Sequence, residues 1–179
     1  MKKVALITGA ARGIGLASAK IFQENGYQVL ILDRDESALN ASAAEFSEAY
    51  PMLFDVSDPQ AGDVIAKEIM DKFGRLDSLV NNAGVASFEP IEKINNETWH
   101  QVMATNLDGV FYLTQAVTPI LKQTKGAIVN ISSISGLRAS ALRVAYGTSK
   151  AAVMQLTKQQ AVELGEYGIR VNAVAPGPV

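Results

Sequence analysis

Tyr146 and Lys150 stand four residues apart in Ala145-Tyr146-Gly147-Thr148-Ser149-Lys150, at the opening of a long helical pattern. On a helix that spacing puts both side chains on one face, one turn apart. An ammonium beside a phenol favours the phenolate, which suits a tyrosine to acid–base work near neutral pH. The same spacing also suits a surface pair on an amphipathic helix. Earlier in the chain, Thr8-Gly9-Ala10-Ala11-Arg12-Gly13-Ile14-Gly15 lies between an apolar run and a helical pattern. Glycines there let backbone approach a pyrophosphate, and a helix N-terminus offers N–H donors and a positive dipole end. Gly9, Arg12, Gly13, Ile14 and Gly15 are the candidate contacts, although a tight packing corner would also use such residues.

Three further stretches could hold the rest of a dinucleotide. Asp33 ends the second apolar run, where a carboxylate meets adenosine ribose hydroxyls and repels a 2′-phosphate. NAD is therefore favoured over NADP, while Arg12 and Arg34 argue the other way as possible phosphate contacts. Asp55-Val56 follows the third run, and its carboxylate could accept from the adenine amino group or simply hold a turn. Asn81-Asn82-Ala83-Gly84 follows the fourth, and Asn82, Ala83 and Gly84 suit a backbone held close to a flat ligand.

These stretches need elements to position them. Strands are expected at Val4–Thr8, Gln28–Leu32, Met52–Phe54, Ser78–Val80, Ala127–Ser132 and Ile169–Ala173. Helices are expected at 13–25, 36–50, 58–73, 97–121 and 146–164. Asp58 is expected to cap the third of these with Pro59 at its first position, and Pro119 to kink or close the fourth. Strands alternating with helices imply right-handed crossovers and a doubly wound parallel sheet, Rossmann-like, in one domain.

Composition narrows the classes. In 179 residues, 48% are hydrophobic and 19% charged, which suits one globular domain. A net charge of −2 with no Lys/Arg run argues against nucleic acid or an anionic membrane as partner. No apolar stretch reaches the length of a membrane span. With no Cys and a lone His100, neither disulfides nor a metal site is expected, and a cytoplasmic protein is.

With these stretches in hand, the sequence resembles the short-chain dehydrogenase/reductase family from Lys3 to Val179. Thr8–Gly15 is similar to its Thr-Gly-x-x-x-Gly-x-Gly turn, Asn81–Gly84 to its Asn-Asn-Ala-Gly, and Tyr146 to Lys150 to its Tyr-x-x-x-Lys. Asn106 in Met103-Ala104-Thr105-Asn106 resembles the family's helix asparagine. Ser133 in Asn130-Ile131-Ser132-Ser133 resembles the catalytic serine, with Ser132 the neighbouring hydroxyl. Pro176-Gly177 resembles the loop beside the nicotinamide, which would include Val179.

The resemblance implies a strand order of 3-2-1-4-5-6 and an NAD(P)-dependent oxidoreductase acting on a secondary alcohol or ketone. Tyr146 would be the general acid or base, and Lys150 would support it and hold the nicotinamide ribose. Ser133 would hold the substrate oxygen, and Asn106 a water linking Lys150 to solvent. Leu137, Arg138, Leu142, Arg143, Ser87 and Phe88 would line the substrate pocket, where the two arginines suit an anionic group or plain solvation. A homo-tetramer or homo-dimer is implied through the helices at 97–121 and 146–164. Family members continue past the Pro-Gly loop with a lid segment, another helix and a seventh strand. On that pattern residues 1–179 read as one domain incomplete at its C-terminus. The competing readings are a dinucleotide-binding module without turnover and an unrelated doubly wound protein such as a methyltransferase.

Overall fold

Every residue of β1 (Val4–Thr8) is buried, as a strand covered on both faces requires. The computed structural model, which describes residues 2–177, places it near the middle of a six-stranded parallel sheet. With β2 (Gln28–Asp33), β3 (Ala49–Leu53), β4 (Ser78–Asn81), β5 (Ala127–Ile131) and β6 (Arg170–Val174), the order is β3-β2-β1-β4-β5-β6. This is the expected order.

Period-2 alternation divides the strand side chains between two apolar layers. Ala5, Ile7, Val29 and Ile31 face α1 (Gly13–Glu24) and α2 (Glu36–Ala43), where Ala19 and Leu39 meet them. Leu6, Leu30, Leu32, Leu79 and Ile128 face the other way. There Ile65 and Ile69 of α3 (Ala61–Phe73), Leu113 and Val117 of α5 (Gly109–Thr124), and Leu164 of α6 (Val144–Gly165) pack over them. The remaining helix, α4 (Asn96–Met103), is capped by the Asn95 side chain, which accepts from Thr98 N–H at 2.7 Å.

Four expectations need correction. The helix expected over 36–50 ends at Ala43, and Ala49-Tyr50 belong to β3, which starts three residues earlier than expected. Tyr50 packs edge-on against Phe73, and that tertiary contact overrides the local helical pattern. Asp58 caps a turn instead of the helix: its carboxylate accepts from Gln60 N–H at 2.9 Å, and α3 begins at Ala61. The long helix expected over 97–121 is two helices joined by a π-helical turn, Ala104–Asp108. Pro119 does not close α5, which runs on to Thr124. Burial of Ile120 and Leu121, worth about 1.5–3 kcal/mol each, offsets the roughly 3 kcal/mol an interior proline costs.

A buried polar chain crosses the second layer. Asn81 Nδ2 donates to Asn130 Oδ1 at 2.9 Å, linking register partners on β4 and β5. Asn130 Nδ2 then donates to Thr157 Oγ1 and Gln160 Oε1 of α6, each at 3.0 Å.

Candidate active site

The turn after β1 is closed by its own small residues. Gly9 has φ +61°, and a Cβ on Gly15 would lie 2.2 Å from the Gly9 carbonyl oxygen, so the turn and the first turn of α1 can touch only through glycine. Thr8 and Asn82 fasten this turn to the end of β4. Thr8 Oγ1 accepts from the N–H groups of Asn82 and Ala83, each at 3.0 Å, and the Asn82 amide donates to the carbonyls of Thr8 and Gly9 at 2.9 and 3.0 Å. Thr8 and Asn82 are thus braces of the turn, a duty that neither residue type announces alone.

Above the carboxyl ends of β1, β2 and β4 opens a cavity of about 580 Å³, a size that suits a cofactor pocket. It brings together nine of the residues expected to hold a dinucleotide: Gly9, Arg12, Ile14, Asp33, Asp55, Val56, Asn82, Ala83 and Gly84. Gly13 and Gly15 are not in its wall: Gly15 packs against Gly9, and Gly13 faces open space with φ +57°. Pro176 and Gly177 also lie outside the cavity wall; the Pro176 carbonyl accepts from Ile134 N–H at 3.0 Å, tying this loop to the exit of β5. Val179 lies outside the described residues.

The acidic side chains of the cavity are engaged. Asp33 accepts from Ala11 N–H and Asp35 N–H, each at 3.1 Å, which joins the end of β2 to the first turn. Arg12 pairs with Asp35, and Arg34 pairs with Asp55 at 3.1 Å. Hydrogen bonds from Ala38 N–H and from Arg12 hold the Asp35 carboxyl below its usual range. For Asp55, burial raises the pKa, but hydrogen bonds from Ser57 and Arg34 together outweigh it and hold the carboxyl low.

Thr105 also lines the cavity and was not expected from sequence. It is 4% exposed, and its hydroxyl has no hydrogen-bond partner among the described residues. A buried hydroxyl without a partner would be satisfied by a polar ligand atom reaching this wall. The cavity volume and its glycine-rich wall fit a dinucleotide. The one signal for Thr105 in the sequence was its place beside Asn106; the π turn that carries both, a geometry common at functional sites, is seen only in the structure.

At the Gly84 end stand the residues with chemistry. A Cβ on Gly84 would lie 3.2 Å from Asn106 Oδ1 and 3.4 Å from Lys150 Nζ, so this backbone runs directly past both. Asn106 is fully buried: its amide donates to Val85 O at 2.9 Å and Ser149 Oγ at 3.0 Å, and its oxygen accepts from Val85 N–H at 2.8 Å. Lys150 is 4% exposed and donates to the Ile131 carbonyl at 2.8 Å. Burial pulls its pKa down to about 8. Its Nζ lies 5.8 Å from the centre of the half-buried Tyr146 ring.

Two serines follow β5 and do different things. Ser132 Oγ donates to the Lys150 carbonyl at 2.7 Å and is thereby occupied. Ser133 Oγ accepts from Ser135 N–H at 3.1 Å, which leaves its own proton to give. Gly136 lets this turn press on α6: a Cβ there would meet Ala151 N at 2.7 Å.

Among the described residues there is no cluster of His, Cys, Asp or Glu that could hold a metal, and no helix long and apolar enough to cross a membrane. The family model described as short chain dehydrogenase matches residues 3–179. Galactitol 2-dehydrogenase of Agrobacterium fabrum is 41% identical over 99% of this chain and 70% of its own. The 3-oxoacyl-acyl-carrier-protein reductase FabG of Thermotoga maritima is 39% identical over 98% of this chain and 73% of its own. Among solved structures, an NAD+-bound xylitol dehydrogenase superposes with a TM-score of 0.93 at 35% identity, over 98% of this chain and 70% of that one. The sheet order agrees with these likenesses, and the chain belongs to the short-chain dehydrogenase family of NAD(P)-dependent oxidoreductases.

Proposed function

We propose that this chain oxidises a secondary alcohol, or reduces the corresponding ketone, with Tyr146 as acid–base catalyst. The observation that carries the reading is the buried Lys150 charge, 5.8 Å from the Tyr146 ring and beside Gly84 at the end of the cavity. A nicotinamide held at the Gly84 end of the cavity would supply the hydride in reduction and accept it in oxidation. In oxidation Tyr146 takes the hydroxyl proton, and in reduction it returns one to the carbonyl oxygen. Lys150 stabilises the phenolate by its charge, and Ser133 donates a hydrogen bond to the same substrate oxygen. Asn106 and Ser132 hold this group in place through Val85, Ser149 and the Lys150 carbonyl.

Asp33, Asp55 and Val56 would face the adenosine, Gly9, Arg12 and Ile14 the pyrophosphate, and Ala83 and Gly84 the nicotinamide side. Pro176 and Gly177 would lie beside the nicotinamide. NAD is preferred, because Arg12 and Arg34 are each paired with a carboxylate and Asp33 adds a further negative charge. A homo-oligomer through α5 and α6 is supported by Phe111 and Val162, which stand 45% and 81% exposed on those helices.

Tyr146→Phe tests the catalytic role. It should lower turnover about 100-fold or more while NADH binding, read by nucleotide fluorescence, persists. Unchanged turnover would sink the assignment of Tyr146. Dinucleotide binding by the native protein with no turnover of any alcohol or ketone would favour a binding module.

A further inference from the structure

We propose that Arg143 is an anion-binding residue of the substrate site, and that the substrate is a hydroxy acid or oxo acid carrying its negative group a few bonds from the reacting carbon. This rests on the dehydrogenase reading above and names the substrate class of the same site. Arg143 is the residue just before α6, three ahead of Tyr146. Its guanidinium lies 4.7 Å from the centre of the Phe88 ring and 6.0 Å from that of Tyr146. It thus bridges the segment after Gly84 and the helix that carries the acid–base pair. A carboxylate gripped by the guanidinium fork would be held close to a carbinol oxygen resting on Tyr146.

The position is built, not incidental. Leu142 has φ +63°, a left-handed backbone that a branched side chain adopts at a cost of about 1 kcal/mol or more. The Arg143 carbonyl then accepts from Gly147 N–H at 2.6 Å, which starts the helix and fixes the arginine's backbone. Among the described residues Arg143 forms no ion pair, in contrast to Arg12, Arg34 and Arg75. Glu89, beside Phe88 in sequence, forms no ion pair with it, and its Oε2 is buried without a hydrogen-bond partner among the described residues. Arg138 and Arg143 both line a neighbouring cleft of about 370 Å³, whose wall includes neither Tyr146 nor Phe88. A neutral polyol needs none of this charge, and a planar cation stacked on an aromatic ring is already oriented for a two-pronged acceptor.

The test compares 3-hydroxybutyrate with its ethyl ester and with 2-butanol as substrates, following NADH formation. The native protein should prefer the acid to the ester, and Arg143→Gln should cut the acid-to-ester ratio of kcat/KM about tenfold or more, mainly through KM for the acid. Arg143→Lys, which keeps charge without the fork, should recover part of that ratio. Phe88→Leu, which removes the stack and keeps the charge, should lower it severalfold. Calorimetric titration of 3-hydroxybutyrate onto cofactor-loaded Tyr146→Phe protein, with and without Arg143→Gln, reads the same grip without turnover. Native turnover of ester or alcohol in preference to the acid would overturn the anion assignment and leave the dehydrogenase reading standing. An equal loss on acid and ester in Arg143→Gln would do the same. No nicotinamide turnover with any of the three, and no binding of the acid, would overturn both.

Discussion

Asn106 and Val85 are joined by a closed pair of hydrogen bonds: Val85 N–H donates to Asn106 Oδ1 at 2.8 Å, and Asn106 Nδ2 donates to Val85 O at 2.9 Å. One side chain thereby does for the Val85 backbone what a neighbouring strand would do, and holds the segment after Gly84 against α6. Asn106→Asp replaces the amide donor with a charge in a fully buried place. It should cost about 2–4 kcal/mol in urea unfolding, with Asn106→Ala close behind. An effect below about 0.5 kcal/mol would show that Val85 is held by other means.

Lys150 makes a prediction with a sign. Its pKa is about 8 in the folded chain against 10.5 in the unfolded one, so the native state disfavours the ammonium. Below about pH 8 both states carry the proton and the whole penalty applies. Between there and 10.5 the unfolded chain holds the proton that the native one has released, so stability rises with pH. Lys150→Met removes this penalty and also the hydrogen bond to the Ile131 carbonyl, worth about 1 kcal/mol, so the cofactor-free protein should gain up to about 2 kcal/mol at pH 7 and less toward pH 10. Differential scanning calorimetry at the two pH values checks it, and a loss of stability at pH 7 would contradict it. Turnover should be lost in the same variant.

Thr105→Val should move two quantities in opposite directions. The cofactor-free protein loses a buried hydroxyl that has no partner, and should gain up to about 1 kcal/mol. NADH affinity should fall roughly fivefold through the missing hydrogen bond, and Thr105→Ser should restore it. Equal affinity in Thr105→Val would mean that the hydroxyl faces no ligand atom.

The proposed preference for NAD is tested at Asp33. Asp33→Asn removes a negative charge and keeps an acceptor for one of the two N–H groups it now serves. The ratio of NADPH to NADH efficiency should rise about tenfold. A ratio that does not move would place the discrimination elsewhere in the cavity.

Much of this molecule was readable in advance because its core strands are nearly continuous apolar runs. Val4–Thr8 and Gln28–Asp33 have little choice but to be buried on both faces, and the glycines of the first turn mark where backbone must approach backbone. What escaped reading depends on long-range contacts. Tyr50 joins a strand because Phe73 is there to meet it. The π turn uses residues that would equally well form an α-helix, and its carrier Asn106 is explained only by Val85 and Ser149, distant in sequence. The hydroxyl of Thr105 gained meaning only once nothing was found beside it. Ser132 and Ser133 could be ranked by spacing alone, but their division of labour follows from one bond to the Lys150 carbonyl.

The buried polar chain offers a further test. Asn130→Leu would strand the Gln160 oxygen and one N–H of the Asn81 amide, whose other bond to Thr114 at 3.2 Å remains, and should cost about 2–4 kcal/mol in denaturant unfolding. A neutral outcome would mean the neighbours re-pair or recruit water.

The same chain of amides has a mechanical side. Helix α6 is pinned to β5 near its start, through Lys150 to Ile131 and Ser132, and again ten residues on, through Gln160 to Asn130. Two bearings about 15 Å apart keep a shaft from rolling. Tyr146 stands just ahead of the first bearing, so a small twist of α6 would shift its phenol relative to Lys150 and Gly84. The direction in which that phenol points is thus set in part from the middle of the sheet, by Asn130 and Gln160, which lie outside the cavity wall.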